Sequence, residues 1–215
     1  MKTVVVLVVW WLGAAARAHE LFLGTCPKPA PMKDFDMEKF EGLWYVVETF
    51  DDREECLTWT ITRGPENGTW HLREAETKGV LSTVGLSNTG ATTATLRPSS
   101  DNPAKMRVRW PLNLAGSYDF TVYSTDYQRF AGVFMCQQVA FFQRQNGVVL
   151  SRTPHLWVKL QQTARLSLKG VKMEYYQPVK QAHCGRPGDA AGPTDHGPLA
   201  TTNTGPDEDN PDSGA

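Results

Sequence analysis

The stretch Lys105-Met106-Arg107-Val108-Arg109-Trp110 puts three cations on one side of an extended chain and three apolar side chains on the other. Successive side chains of a strand point to opposite faces, so a two-residue period of this kind belongs to a half-buried β-strand. The same signature recurs along the chain. "CLTWTITR" sets Leu57, Trp59 and Ile61 against Thr58, Thr60 and Thr62, and "TWHLREAET" sets Trp70 and Leu72 on one face. Between those two runs, Asn67-Gly68 is a strong hairpin turn signal. "GLWYVV", "GVLSTVGLS", "YDFTVYST", "FAGVFMCQQVAFF" and "GVVLSRT" complete a set of eight runs joined by hairpin-length connections, with no helical segment among them. Such a series folds as an antiparallel meander, either a sandwich or a barrel.

The period then changes. Leu156, Leu160, Ala164 and Leu168 lie four apart, which predicts a one-faced helix over Leu156 to Lys169, stopped by Gly170. Lys172 to Tyr176 reads as one more short strand. An immunoglobulin-type sandwich does not call for this helix, and its cysteine and tryptophan pattern is not recognisable. The expected fold is all-β: an eight-stranded antiparallel up-and-down barrel with one C-terminal α-helix packed on the outside and a short last strand. A barrel of this size has room for one small ligand. Leu57, Trp59, Ile61, Trp70, Leu72, Met106, Val108 and Trp110 fall on the inward faces. They suit a ligand cavity, and they suit a closed, filled core equally well.

The two ends of the chain differ from this pattern. Lys2, the apolar run "TVVVLVVWWL" and Ala16-Arg17-Ala18 make residues 1–18 a secretory signal peptide, cut after Ala18. Residues 185–215 are rich in Gly, Pro and acidic residues and contain no aromatic side chain, so they read as a disordered acidic tail. Residues 19–184 then form one domain. With 22 Lys and Arg against 23 Asp and Glu, charge gives no reason to expect a nucleic-acid partner. No later segment is apolar enough to span a membrane. Four cysteines, Cys26, Cys56, Cys136 and Cys184, favour two disulfides in a secreted chain, since no C-x-x-C pair suggests zinc.

Four stretches resemble the lipocalin family, and most of all its apolipoprotein D group. "FEGLWYVVETF" resembles the first family motif at Gly42 and Trp44. "YSTDYQRFAGVFMC" resembles the second at Thr125, Asp126 and Tyr127. "LSRTPHL" resembles the third at Arg152, and "LGTCPKPAPMKDFDMEKFEG" resembles the leader before the first strand. The resemblance covers about Leu23 to Cys184. It implies that Trp44 closes the barrel floor with Arg152 lying across its ring, and that Gly42 lets the amino-terminal segment pass close beneath. It implies the pairings Cys26–Cys136 and Cys56–Cys184. With Trp44 and Arg152 inward, strand parity turns Val46, Thr121, Tyr123, Val148 and Leu150 inward as well.

The sequence carries little that points to catalysis. There is no nucleophile elbow, phosphate loop or dinucleotide fingerprint. His71 and Glu74 are three apart on a strand and face opposite ways, so they make no metal site. No cofactor is expected. Asn67-Gly68-Thr69 is an N-glycosylation sequon in an exposed turn. The resemblance implies a secreted, extracellular carrier of a small hydrophobic ligand: a lipid, fatty acid, sterol, retinoid or bilin-like pigment. A receptor or lipoprotein partner is left unnamed. A filled barrel acting as an extracellular protein-interaction module is the alternative, and a lipocalin-type enzyme a more distant third.

Overall fold

The structure is a computed structural model that describes residues 21–50, 55–77, 89–182 and 184. The expected signal peptide, the acidic tail and the run "GVLSTVGLS" lie outside these residues. Strands β1 (Leu21–Leu23), β2 (Gly42–Thr49), β3 (Thr58–Arg63), β4 (Trp70–Thr77), β5 (Thr89–Pro98), β6 (Lys105–Arg109), β7 (Tyr118–Thr125), β8 (Phe130–Val139), β9 (Phe142–Ser151) and β10 (Gln177–Pro178) form one sheet. Helix α1 (Met37–Phe40) precedes β2, and helix α2 (Val158–Ala164) follows β9. Each strand from β2 to β9 pairs antiparallel with the next, and β9 returns to pair with β2. This closes an eight-stranded meander, so none of the eight is left with two free edges.

The alternation read from the sequence has the expected consequence. In β6 the pattern is exposed, buried, exposed, buried, exposed, with Met106 and Val108 inside. One contiguous cluster fills the lumen, including Trp44, Val46, Leu57, Trp59, Ile61, Trp70, Leu72, Val108, Phe120, Val122, Val148 and Leu150. A second cluster lies outside the barrel under α2, where Val47, Phe130, Val149, Ala164 and Tyr176 meet.

Three elements differ from the sequence reading. The fifth strand is Thr89–Pro98, a Thr/Ala-rich run in which only Ala94 and Leu96 enter the core. Small side chains gave it too weak an apolar signal to stand out. Helix α2 ends at Ala164 instead of Lys169, with Arg165 in extended backbone (φ −77°, ψ 137°). The Arg165 guanidinium turns back to grip Glu48 on β2, through Nε to Oε2 at 2.8 Å and Nη2 to Oε1 at 2.5 Å. Finally, residues 173–175 form a 3₁₀ turn, and the pairing to β2 is made afterwards by Gln177 and Pro178.

Parity also fails at one place. Thr121 and Tyr123 point out of the barrel, while Phe120 and Val122 point in. The register of β7 against β8 shifts between Val122 and Ser124. Counting back in twos from Thr125 crosses this bulge and so selects the wrong face. Tyr123 instead packs outside, where its hydroxyl donates to the Ala164 carbonyl at 2.5 Å and lies 3.2 Å from the Tyr176 hydroxyl.

Candidate functional site

The floor is built around two side chains. The Trp44 ring is wholly buried, and its Nε1 donates to the Phe40 carbonyl at 2.9 Å, at the end of α1. That bond satisfies the polar atom that makes a buried tryptophan costly. The Arg152 guanidinium carbon stands 3.6 Å from the Trp44 ring centroid. Its nitrogens donate to four carbonyls: Tyr127 (3.0 Å), Leu43 (2.8 Å), Glu41 (2.8 Å) and Lys39 (3.2 Å). Burial draws the Arg152 pKa down from its ordinary high value, and carbonyl dipoles with a π face compensate the charge without a carboxylate.

Gly42 matters here for another reason than the sequence suggested. Its φ is +96°, and a Cβ at that position would stand 3.3 Å from Arg152 Nη1. The glycine makes room for the guanidinium rather than for the amino-terminal segment.

The turn between β7 and β8 braces this floor. Asp126 Oδ1 accepts from the backbone N–H groups of Gln128, Arg129 and Phe130 at 2.8–3.2 Å, and Oδ2 accepts from Arg129 Nε at 2.6 Å. Burial would raise the Asp126 pKa, but these backbone bonds and the Arg129 cation outweigh it and hold the carboxyl below its usual range. Thr125 Oγ1 donates to the Phe130 carbonyl and accepts from Tyr127 N–H. Tyr127 adopts a left-handed backbone (φ 63°), and its hydroxyl accepts from Asp36 N–H at 2.9 Å. The second motif therefore holds the leader, and the third holds the first.

Above the floor the lumen is packed. Ile61, Leu72, Leu96, Val108, Val122, Val133 and Leu150 are wholly buried. Trp70 and Met106 are nearly so, and Trp110 sits half-buried at the cluster edge. Trp59 on β3 and Phe120 on β7 lie on opposite walls of the ring of eight strands, yet their ring centroids are 6.1 Å apart. Two aromatic side chains thus bridge the bore. Of the side chains expected to line a ligand site, the structure brings Ile61, Leu72, Val108, Val148 and Leu150 into this packed cluster and excludes Thr121 and Tyr123 from it.

On the mouth side of the aromatic bridge the wall becomes polar, which sequence reasoning missed. Trp59 Nε1 donates to Glu74 Oε2 at 2.8 Å. Asn146 Oδ1 accepts from the Thr49 hydroxyl at 2.9 Å and from Phe50 N–H at 3.2 Å. Gln137 follows Met135 by two residues on β8, and Arg144 precedes Asn146 by two on β9, so both face the lumen. The two are direct cross-strand partners. The signal was available: Gln137, Arg144 and Asn146 share the parity of Met135, Val148 and Leu150, and polar residues on a core face are the informative exception.

The outer wall ties the ends of the chain to the barrel. Disulfides join Cys26 to Cys136 and Cys56 to Cys184. Gln181 Nε2 donates to the carbonyls of Val46 and Leu57 at 2.7 and 2.8 Å. Asn67 lies in an exposed turn. Among the described residues, no cluster of His, Cys, Asp and Glu is arranged to hold a metal, and no helix is long and apolar enough to cross a membrane.

No protein-family model matches the chain. Apolipoprotein D of Mus musculus is 27% identical over 180 residues, covering 80% of this chain and 91% of the relative. Apolipoprotein D of Bos taurus is 28% identical over 149 residues, covering 67% and 75%. Among solved structures, apocrustacyanin C1 superposes with a TM-score of 0.59 at 12% identity, over 75% of this chain and 91% of its own. Insecticyanin of Manduca sexta does so with a TM-score of 0.57 at 15% identity, over 78% and 93%. The structural likeness carries the fold, and the sequence likeness narrows it. The four-carbonyl arginine on a floor tryptophan and the closed eight-strand meander match the lipocalin fold, and in sequence the chain is similar to apolipoprotein D.

Proposed function

We propose that this chain binds one small hydrophobic ligand in the mouthward part of its barrel and carries it through extracellular fluid. The observation that carries this reading is the asymmetry of the lumen. One end is sealed by Trp44 and Arg152, the middle is filled up to the Trp59–Phe120 bridge, and on its mouth side the wall carries the polar Glu74, Gln137, Arg144 and Asn146. Apolar burial would supply most of the affinity, and the polar groups would orient the ligand. The two disulfides and the relatives support an extracellular setting, with residues 1–18 as the secretory signal and Asn67 as a glycan acceptor. The role is binding rather than catalysis.

Titration of intrinsic fluorescence tests this. A fatty acid, sterol, retinoid or tetrapyrrole that enters the lumen quenches Trp59, saturably and one per chain. Trp59→Phe keeps the fold, checked by circular dichroism, and loses most of that quenching. If the parent binds no member of the panel, the carrier reading falls. The packed lower lumen then favours the filled-barrel interaction module instead.

A further inference from the structure

The polar rim of the lumen contains groups that the fold itself leaves unsatisfied. Gln137 is 2% exposed, and neither its Nε2 nor its Oε1 has a hydrogen-bond partner. Arg144, facing it across the β8–β9 pair, has its Nε buried and equally unpartnered. Their neighbour Asn146 is different, because Thr49 and Phe50 occupy its carbonyl oxygen. Buried amides without partners are rare because each forfeits its bonds to water, and such a group needs a specific explanation. The Gln137 amide and the Arg144 Nε lie side by side on a wall that turns apolar two layers below, at Val133 and Val148, and together they form an incomplete hydrogen-bonding site.

We infer that Arg144 and Gln137 form a head-group clamp for a carboxylate at the end of an apolar ligand. The inference rests on the reading of the lumen as the ligand site. Cβ atoms of directly opposed residues in an antiparallel pair lie roughly 5 Å apart, so one head group spans both. The guanidinium fork matches the two oxygens of a carboxylate, and the Gln137 Nε2 adds a neutral donor beside it. Among the described residues no carboxylate forms an ion pair with Arg144. Glu74, whose side chain shares the inward face of β4 with Leu72, accepts from Trp59. A ligand acid supplies the missing charge. Its hydrocarbon chain then lies against the mouthward faces of Trp59 and Phe120.

The test uses the full secreted chain and three probes that share one hydrocarbon tail: oleate, methyl oleate and oleyl alcohol. Oleate is expected to bind at least about tenfold more tightly than the ester or the alcohol, the usual margin for a hydrogen bond to a charged group. Arg144→Met and Gln137→Met each reduce that preference, Arg144→Met to near unity, while methyl oleate binds as before. Gln137→Met has a second readout without ligand: removing two orphaned polar atoms raises the apparent Tm. If the parent binds all three probes equally, the clamp is overturned and the lumen site stands. If it binds none of them or any other apolar probe, the lumen reading itself fails. If Gln137→Met lowers Tm and leaves oleate affinity unchanged, Gln137 serves the fold and the clamp is overturned.

Discussion

Arg152 shows how one residue can hold several segments at once. Its four acceptors come from α1, from the turn into β2, from β2 itself and from the β7–β8 turn. A lysine has no planar fork and cannot reach four fixed carbonyls. Arg152→Lys is therefore expected to cost about 2–4 kcal/mol, since each lost bond leaves a buried carbonyl unpaired at roughly 1–3 kcal/mol before water enters. Trp44→Ala should cost about 3–5 kcal/mol by opening a cavity at the floor. Urea midpoints measure both. Asp126 sets a pH dependence. Its folded pKa is depressed, so its contribution is fully present above the unfolded value of about 3.9 and is lost as pH falls through the folded pKa. Comparing parent and Asp126→Asn across that acid range should show the parent's advantage over the variant shrinking as pH falls. These residues were legible from sequence only through the family motifs. Periodicity alone gives no reason for an arginine to lie across a tryptophan 108 positions away.

At the scale of the element, the strands read well and their faces read well except where the backbone breaks its own period. Alternation placed β3, β4 and β6 and their buried residues, because large apolar side chains on one face leave little ambiguity. It missed β5, whose inward residues are small, and it misplaced Tyr123, because a bulge inserts a residue without leaving a mark in composition. The bulge has a use. It turns Tyr123 outward to receive the end of α2, and Gly132 on β8 clears the space. A Cβ at Gly132 would lie 2.5 Å from the Ala164 carbonyl oxygen and 2.5 Å from the Tyr123 ring. Gly132→Ala should thus cost about 1–3 kcal/mol, in the range of overpacking. Gly90→Ala on β5, where nothing lies within 4 Å, is the control and should be neutral. Thermal melts of the two variants decide whether α2 is seated by shape or merely tethered. If Gly132→Ala melts with the parent, the helix rests on the barrel loosely.

For the whole molecule, the question is what holds the two ends of the chain against a closed barrel. Cys26–Cys136 fastens the leader to β8, and Cys56–Cys184 fastens the carboxyl-terminal segment to the start of β3. Their sequence separations are 110 and 128 residues. On the chain-entropy model, loops of such similar length stabilise almost equally, by roughly 4–5 kcal/mol each. Any difference between them must then come from the folded contacts that each one anchors. The second has more at stake near the bore. Beside Cys184, Gln181 spans the carbonyls of Val46 and Leu57, and Cys56 N–H donates to the Lys180 carbonyl at 2.8 Å. Val179 N–H donates to the Val47 carbonyl at 3.0 Å. Losing this staple frees a segment that caps two backbone carbonyls next to core strands β2 and β3. The pair Cys56→Ala with Cys184→Ala should therefore lower stability more than Cys26→Ala with Cys136→Ala, and should speed exchange of the backbone amides at positions 46 and 56 in particular. Hydrogen exchange on both double variants measures it. Equal losses with exchange unchanged at those two amides would mean that the carboxyl-terminal segment stays docked through its own hydrogen bonds, and that the disulfide acts on the unfolded chain alone.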